Sequence, residues 1–346
     1  MAYIDCRTLT VTQLRDDLVR EGFPAYRAEQ LWKWLKDGTS HFTDMTNLPA
    51  VLREHLEKTY LLPSVTIEKR LESEIKDDGT VKYLFGLDDG NAVESVLMNY
   101  RHGWSQCLST QVGCKMGCTF CATGMDGFTR NLTPSEMLAQ IAAAQTDCGV
   151  RVSSVVLMGM GEPLDNFDNV TRFLQLISEP GGINIGMRHL SLSTCGLVDG
   201  IVRLMEYKWQ LTLSVSLHAP NDEIRTQLMP VARRWNIDEL LSVCRDYAAV
   251  TGRRISFEYA MIDGVNDSDA CARELAARLR GILCHVNLIP LNPVDGGSDL
   301  HRRSKAARLQ VFRSVLERSG LTATVRRTLG TDINASCGQL RQGQTL

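Results

Sequence analysis

Apolar residues near the amino terminus recur at the spacing of an amphipathic helix. Between residues 10 and about 60 they stand three or four positions apart, as in Ala28, Leu31 and Leu35. This spacing places them on one face of a helix, which packing then buries. We therefore expect residues 1–63 to form a small helical accessory domain.

The pattern changes to short strand-like segments between residues 64 and 99. Val81–Phe85 and Ala92–Met98 are rich in β-branched and aromatic residues, and an Asp-Asp-Gly turn precedes each of them. Such runs, bounded by turn residues, predict strands. We expect a small antiparallel sheet here, acting as a connector to the rest of the chain.

Beyond residue 100, strand-like runs alternate with helical ones. One helix begins at Pro134, because Thr133 can cap it and Glu136 completes a capping box. The alternation is typical of an α/β domain with a parallel sheet, and residues 100–346 hold about six βα units. The strands are predicted around Cys107 and at Ser154–Met158, Leu190–Ser193, Leu211–Leu217, Ile255–Ile262 and Val286–Leu291. The pattern fits both an open sheet and a partial barrel.

Composition describes a globular protein without an export signal. No apolar run approaches the ~20 residues of a membrane-spanning helix, and the amino terminus lacks the layout of a signal peptide. We therefore expect a cytoplasmic protein that binds no membrane, with its eleven cysteines mostly reduced. The net charge of -2 gives no general attraction to phosphate. Paired arginines such as Arg326-Arg327 are interpreted as solvated surface.

Three closely spaced cysteines carry the first chemical signal. Cys114, Cys118 and Cys121 follow one another at Cys-x3-Cys-x2-Cys spacing, and Gly113 and Gly117 let the loop bend. Three thiolates can bind three irons of a [4Fe-4S] cluster and leave the fourth iron open. A structural zinc ion requires four ligands, and no second cysteine pair supplies them. We therefore predict an iron–sulfur cluster rather than a zinc site.

Short polar motifs follow several of the predicted strands. Gly161, Glu162, Ser193, Ser216 and Asn292 each stand at or just beyond the carboxyl end of a strand. In a βα barrel these ends form the rim where ligands bind. We therefore expect these residues to share one mouth with the cysteine loop.

Taken together, these motifs resemble a known family. From about Tyr26 to Leu340 the chain is similar to the RlmN/Cfr family of radical S-adenosylmethionine (SAM) RNA methyltransferases. The resemblance implies a partial (βα)6 radical SAM barrel, in which SAM chelates the open iron and is cleaved to a 5′-deoxyadenosyl radical. The matching segments are Ser109–Cys114, Met158–Pro163, Leu192–Thr194, Ser216–Asp222, Leu288–Pro293 and Asp332–Leu340.

The resemblance also implies ligands and partners. The helical domain would bind RNA, and flavodoxin or ferredoxin would supply electrons to a monomeric enzyme. The cluster would be held by Cys114, Cys118 and Cys121. SAM would be bound by Gly161, Glu162, Ser193, Ser216, Leu217, His218 and Asn292. Without the resemblance, His218 is typical of a structural histidine at a strand end.

Two cysteines outside the cluster motif complete the implied chemistry. Cys337 lies in a polar, glycine-flanked segment, which predicts a mobile reactive thiol. In the family pattern Cys337 accepts a methyl group from one SAM, and a radical from a second SAM removes a hydrogen from that methyl. The resulting carbon radical adds to adenine, Glu94 accepts a proton, and Cys107 attacks the Cys337 sulfur to release the base. Without the resemblance, Glu94 is typical of an exposed strand glutamate.

The resemblance favours methylation of C2 of an adenine in 23S ribosomal RNA and in transfer RNA. Cfr-type methylation at C8, which confers antibiotic resistance, is the nearest alternative. The others are a radical SAM enzyme with a non-RNA substrate and a zinc-stabilised RNA-binding protein. Asn334 and Ser336 depart from the Asp and Ala of the family pattern, which puts the position of the tail in question. No role is predicted for Cys6, Cys148, Cys195, Cys244, Cys271 and Cys284.

Overall fold

The computed structural model describes residues 3–180, 182–292, 294 and 301–340, so Pro293 of one matching segment lies outside the described residues. The helices are α1 (Val11–Arg20), α2 (Arg27–Lys36), α3 (Ala50–Thr59), α4 (Pro134–Cys148), α5 (Phe167–Ser178), α6 (Val198–Glu206), α7 (Asp222–Leu228), α8 (Ile237–Thr251), α9 (Asp269–Leu279) and α10 (Ala306–Arg318). The strands are β1 (Ile4–Asp5), β2 (Tyr60–Leu61), β3 (Val65–Glu72), β4 (Thr80–Leu87), β5 (Ala92–Tyr100), β6 (Gly103–Cys107), β7 (Gln111–Gly113), β8 (Phe128–Asn131), β9 (Val152–Leu157), β10 (Leu190–Thr194), β11 (Thr212–Ser216), β12 (Ile255–Met261), β13 (Cys284–Pro290) and β14 (Ala323–Val325). Over the described ranges, no helix combines the length and the apolar character needed to cross a membrane.

The segment from residue 10 to residue 60 contains the predicted helices. Thr10 caps α1 in a capping box with Gln13. The apolar faces of α1, α2 and α3 meet around Leu14, Leu31 and Leu52, none of which is exposed to solvent. The strands β1 and β2 pair in parallel and join the two ends of this unit.

One ten-stranded sheet organises the remainder, in the order β14-β13-β12-β11-β10-β9-β6-β5-β4-β3. Strands β6 and β9 to β14 are parallel. The helix α4 has the predicted capping box of Thr133 and Glu136. Six of these parallel strands match the predicted ones. The seventh, β14, is too short for its pattern to be seen in the sequence.

The structure differs from the sequence prediction at strands β3, β4 and β5. We expected a small sheet of their own, but they continue the large sheet in antiparallel fashion from β6. The tight turn between Tyr100 and Gly103 lays β5 against β6, whose edge would otherwise carry unpaired backbone groups. Strand β4 is buried along nearly its whole length. The connector is therefore part of the same sheet as the barrel strands.

The parallel strands curl into a partial barrel. Strands β9 and β14 are five positions apart, which in a flat sheet would separate them by roughly 24 Å, at about 4.8 Å per strand. Yet Arg326, directly after β14, places its Nη1 3.6 Å from the sulfur of Met158, directly after β9. An arginine side chain spans only part of the flat-sheet distance, so the sheet bends. The implied barrel is confirmed, and the alternative of a flat open sheet is wrong.

Candidate active site

A cavity of about 170 Å³ opens at the carboxyl ends of the parallel strands. The cysteine loop after β7, the strand ends and the tail after β14 form its walls. The predicted site residues that line it are Cys114, Cys118, Cys121, Gly161, Glu162, Ser193, Ser216, His218, Asn292 and Cys337. Leu217, Cys107 and Glu94 are not among its lining residues.

Two glycines shape the cysteine loop. Gly113 and Gly117 have φ angles of +74° and +68°, which other residues rarely adopt. A Cβ on Gly113 would come within 2.0 Å of the carbonyl oxygen of Gly127, so the β7–β8 hairpin closes only with glycine there. The loop packs against buried apolar residues that include Met229, Ile262 and Leu291. This packing keeps water from one side of the loop.

The three thiols of the loop are half-buried neighbours. Burial, and to a smaller degree the charge of Cys121, raises the pKa of Cys114 to about 12. Burial also raises the pKa of Cys118 and of Cys121. Bound iron would reverse this shift, because a coordinating thiol is deprotonated.

The spacing of possible ligands bears on the kind of metal. In the described part of the chain, no three His, Cys, Asp or Glu side chains converge closely enough to hold a single ion. A zinc ion would draw every thiolate to about 2.3 Å from one centre. A four-iron cluster binds each thiolate through a different iron and so suits a wider spacing. The loop supplies three thiols, one ligand fewer than a structural zinc site requires.

Gly161 and Glu162 form the turn after β9. Gly161 has a φ of +102°, and a Cβ there would lie 2.5 Å from the Cβ of Gln111. The Gln111 Oε1 accepts a hydrogen bond from the Glu162 N–H at 2.9 Å. The buried Glu162 carboxylate accepts hydrogen bonds from the N–H groups of Leu164 and Cys195, at 3.0 and 2.7 Å. The turn is therefore held rigidly at the cavity wall and tied to the end of β10.

His218 is fixed at the end of β11 in a left-handed conformation, with a φ of +56°. Its Nδ1 accepts a hydrogen bond from the Ala260 N–H at 2.9 Å, and its ring stands edge-on to Phe120 with centroids 4.9 Å apart. Burial, and then the charge of Arg225, lowers the pKa of His218 to about 3. His218 is therefore a neutral group in the cavity wall. The side chain of the adjacent Leu217 is buried in the core, so only its backbone could contact a ligand.

The segment around Cys337 is packed, which corrects the expectation of a mobile tail. The Gly338 carbonyl accepts a hydrogen bond from the Ala122 N–H at 2.8 Å, and the Asn292 Nδ2 donates to the Cys337 carbonyl at 3.1 Å. Polar side chains that suggested a loose segment instead find partners, as buried polar groups generally do. Further hydrogen bonds join Asp332 to Ser73, Asn334 to Lys82 and Ser336 to Leu329.

The two departures from the family pattern fit this packed tail. Asn334 has a φ of +49°, a conformation in which Asn and Asp are enriched. The Ser336 hydroxyl donates to the Leu329 carbonyl at 2.8 Å. Both residues therefore help to hold the half-buried Cys337 in place.

Cys107, Cys337 and Arg326 are neighbours. Cys107 ends β6 and is 7% exposed. Burial, and then the charge of Cys337, raises the pKa of Cys107 to about 12, while Arg326 acts in the opposite direction. The charge of Cys337 in turn raises the pKa of Arg326. The guanidinium thus lies where it favours thiolates.

The interpretation of Arg326 as solvated surface is wrong. Its side chain is half-buried and lines the cavity. No local sequence signal could have found it, because β14 is only three residues long and its pairing with β13 sets the inward direction of Arg326.

Glu94 is buried, which corrects the interpretation of an exposed strand glutamate. Its Oε1 lies 2.7 Å from the Lys82 Nζ, and the side chains are 8% and 4% exposed, respectively. Lys82 stands opposite Val96, and Val96 opposite Cys107, so these residues share one face of the sheet. Lys82 also donates a hydrogen bond to the Asn334 carbonyl at 3.1 Å. Glu94 and Cys107 therefore face the side of the sheet where the tail lies.

Comparisons with known proteins establish the family. The radical SAM superfamily matches residues 108–274, and the ribosomal RNA large subunit methyltransferase N-terminal domain matches residues 4–62. The chain is 49% identical over 342 residues to the dual-specificity RNA methyltransferase RlmN of Alkaliphilus oremlandii, with 99% of this chain and 98% of the relative covered. This chain belongs to the RlmN family of radical SAM enzymes. The resemblance drawn from the motifs is thereby confirmed.

Further RlmN-family comparisons agree over the whole length. The RlmN of Pelotomaculum thermopropionicum is 51% identical, with 98% of this chain and 92% of the relative covered. A crystal structure of a radical SAM methyltransferase from Sphaerobacter thermophilus matches with a TM-score of 0.91 at 45% identity, covering 97% of this chain and 99% of that one. The fold is therefore that of a radical SAM methyltransferase. The roles of individual residues stay predictions.

Proposed function

We propose that this RlmN-family chain methylates C2 of an adenine in 23S ribosomal RNA and in transfer RNA, with Cys337 carrying the one-carbon unit. The observation that carries the proposal is the convergence of the cysteine loop, the strand-end residues and Cys337 on one cavity. The names of the relatives, dual-specificity RNA methyltransferases, supply the substrate class. In this proposal residues 1–63 bind RNA and residues 100–346 perform the chemistry.

In this proposal the cavity would hold a cluster and SAM side by side. Cys114, Cys118 and Cys121 would hold a [4Fe-4S] cluster with one iron free for a substrate, and the cluster would supply the electron that cleaves SAM. The strand-end residues would hold SAM: Gly161, Glu162, Ser193, Ser216, the backbone of Leu217, His218 and Asn292. Small side chains leave room in the cavity, and the neutral His218 ring offers hydrogen bonds without a charge.

Cys337 and Cys107 would act in turn. Cys337 takes a methyl group from SAM, and a radical from a second SAM then removes one hydrogen atom from that methyl. The resulting carbon radical bonds to the adenine. The adduct would then lose a proton to Glu94 and one electron to the redox centre that the cysteine loop would hold. The Cys107 thiolate then attacks the Cys337 sulfur, so that the carbon–sulfur bond breaks as a disulfide forms. Two electrons from an external donor such as flavodoxin or ferredoxin restore the thiols. Arg326, beside both sulfurs, favours the thiolate that attacks.

The buried pair of Lys82 and Glu94 would handle the proton. Glu94 lies on the same face of the sheet as Cys107. It is two residues along β5 from Val96, which pairs with Cys107. Two residues span about 7 Å of strand, so the carboxylate would be within reach of an adenine held near the second thiol. Lys82 pairs with the carboxylate at 2.7 Å and would position it to accept the proton from the base.

RNA mass spectrometry tests the proposal. Cells with the gene should contain 2-methyladenosine in 23S ribosomal RNA and transfer RNA, and cells without it should lack that nucleoside. Appearance of 8-methyladenosine would assign Cfr-type chemistry instead, and unchanged RNA would refute methylation of RNA. Replacing Cys337→Ala should abolish product while iron and sulfide contents stay at wild-type levels. Cys284→Ala, which removes a thiol outside the cavity, serves as the matched control.

A further inference from the structure

A second cavity, of about 310 Å³, lies on the inner face of the barrel near the amino ends of the parallel strands. Its walls come from β5, β6, β9 and β10 and from the turn before β10. Arg326 lines this cavity and also the cavity that holds Cys337. The two cavities therefore meet at one guanidinium.

Three serine hydroxyls line one wall of this second cavity. Ser105 stands opposite Ser154 in the β6–β9 pair, and Ser191 stands opposite Val156 in the β9–β10 pair. Across the residues that the structure describes, none of the three hydroxyls makes a hydrogen bond to another protein group. They are free to donate to a ligand, and serine hydroxyls are frequent donors to phosphate oxygens.

The charges around the second cavity are positive. Arg188 and Arg326 line it together with His102 and His189, and no carboxylate does so within the described ranges. Arg326 has one acidic neighbour, Glu258, at 3.9 Å. Arg188 is exposed and has no ion pair or hydrogen bond inside the described part of the chain. The cavity therefore offers an anion one uncommitted guanidinium and several neutral donors.

Two stacked rings stand at the same cavity. The rings of Tyr100 and His102 lie nearly parallel, 10° apart, with centroids 5.3 Å from each other. Flat rings beside cations are typical of sites for single-stranded RNA, where bases stack and phosphates pair with arginine. The cluster and SAM would occupy the other end of the barrel, so a substrate base has to reach Cys337 from another side.

We propose that the second cavity binds a phosphodiester group of the RNA substrate, close in sequence to the adenine that reaches Cys337. Arg188 and the serine hydroxyls hold the phosphate, and Arg326 separates it from the reacting thiols. The inference rests on the proposed function, because it takes RNA as the substrate. It adds a site that positions the RNA at the barrel itself, apart from the helical domain.

Binding of a substrate RNA stem–loop to the holoenzyme tests this site. Arg188→Ala should weaken binding about tenfold and lower the slope of log affinity against log salt by about 0.7, the loss of one single-strand phosphate contact. The maximal methylation rate at saturating RNA should change little. Arg318→Ala is the matched control, since Arg318 is also exposed, at the end of α10. It should leave affinity and slope unchanged.

Neutral methylphosphonate groups, placed one at a time in the RNA, locate the contact. A methylphosphonate at one position near the target adenine should weaken binding of the RNA to the wild type. The same RNA should bind Arg188→Ala as tightly as unmodified RNA does. If Arg188→Ala binds RNA as Arg318→Ala does, or if no methylphosphonate effect vanishes in it, the proposal is wrong. Inorganic phosphate that binds the wild type but not Arg188→Ala, with RNA binding equal in both, would likewise overturn it in favour of a free-anion site. Absence of methylation by the wild type would instead refute the proposed function.

Discussion

Replacing Lys82→Met should destabilise the protein strongly, because it removes the cationic partner of a buried carboxylate. The Lys82 Nζ lies 2.7 Å from the Glu94 Oε1, and both side chains are less than a tenth exposed. Breaking a buried ion pair from one side costs about 3–5 kcal/mol. Arg15→Met is the matched control, because Arg15 and Glu29 form a 2.6 Å pair at 41% and 51% exposure. An exposed pair contributes only about 0.2–1 kcal/mol.

Thermal unfolding measures this difference. About 2.1 cal/mol/K per residue gives the 346-residue chain an unfolding entropy of roughly 0.7 kcal/mol/K, so 1 kcal/mol shifts Tm by roughly 1.4 °C. Lys82→Met should therefore lower Tm by roughly 4–7 °C, and Arg15→Met by no more than roughly 1.5 °C.

The double variant Lys82→Met/Glu94→Gln completes the test. This double variant should recover most of the Tm that Lys82→Met loses, since a neutral pair carries no buried charge. If Lys82→Met shifts Tm no more than Arg15→Met, or if the two substitutions add independently, the buried pair does not have the energetic role assigned here.

Three further predictions concern the cavity. Gly161→Ala should destabilise the folded protein by about 1–3 kcal/mol more than Gly281→Ala. Both glycines have positive φ, but a Cβ on Gly161 would meet the Gln111 side chain, whereas nothing lies within 4 Å of a Cβ on Gly281. Equal Tm shifts for the two variants would contradict the clash. Cys107→Ala should leave the adenine bonded to Cys337, so a covalent protein–RNA species should appear on denaturing gels. Its absence, with normal product formation, would remove Cys107 from the mechanism. Below pH 6.5 the unfolded chain binds a proton that the folded His218, with its pKa lowered to about 3, does not bind. The free energy of unfolding should therefore fall by about 1.4 kcal/mol for each unit that the pH is lowered from 6.5 to 3. On acidification, Tm of His218→Gln should fall less steeply than Tm of the wild type. An equal fall in both proteins would contradict the pKa shift.

Features encoded by neighbouring residues could be predicted from the sequence. The capping box of Thr133 and Glu136 is a local signal, and so is the glycine-shaped cysteine loop. The order of strands and loops along the chain likewise indicated that the motifs would gather at one rim. These patterns need no knowledge of which distant segments meet.

Features made by distant contacts could not be predicted. Lys82 and Asn334 are 252 residues apart in sequence yet hydrogen-bonded, which is why both the burial of Glu94 and the packing of the tail were missed. Strand β14 is only three residues long, so the inward direction of Arg326 depends on a pairing with β13 that no local pattern reveals. The junction of β5 with β6 likewise follows from pairing rather than from composition.

In the proposed mechanism, Cys337 transfers its carbon after one hydrogen has been removed from the methyl group. Methylation with SAM carrying a fully deuterated methyl group tests it directly, by mass spectrometry of the RNA product and of 5′-deoxyadenosine. The new methyl on adenine should keep two deuterium atoms and gain one hydrogen from solvent, while the third deuterium should appear in 5′-deoxyadenosine. A product that retains all three deuterium atoms would show direct methyl transfer and contradict transfer through Cys337 radical chemistry.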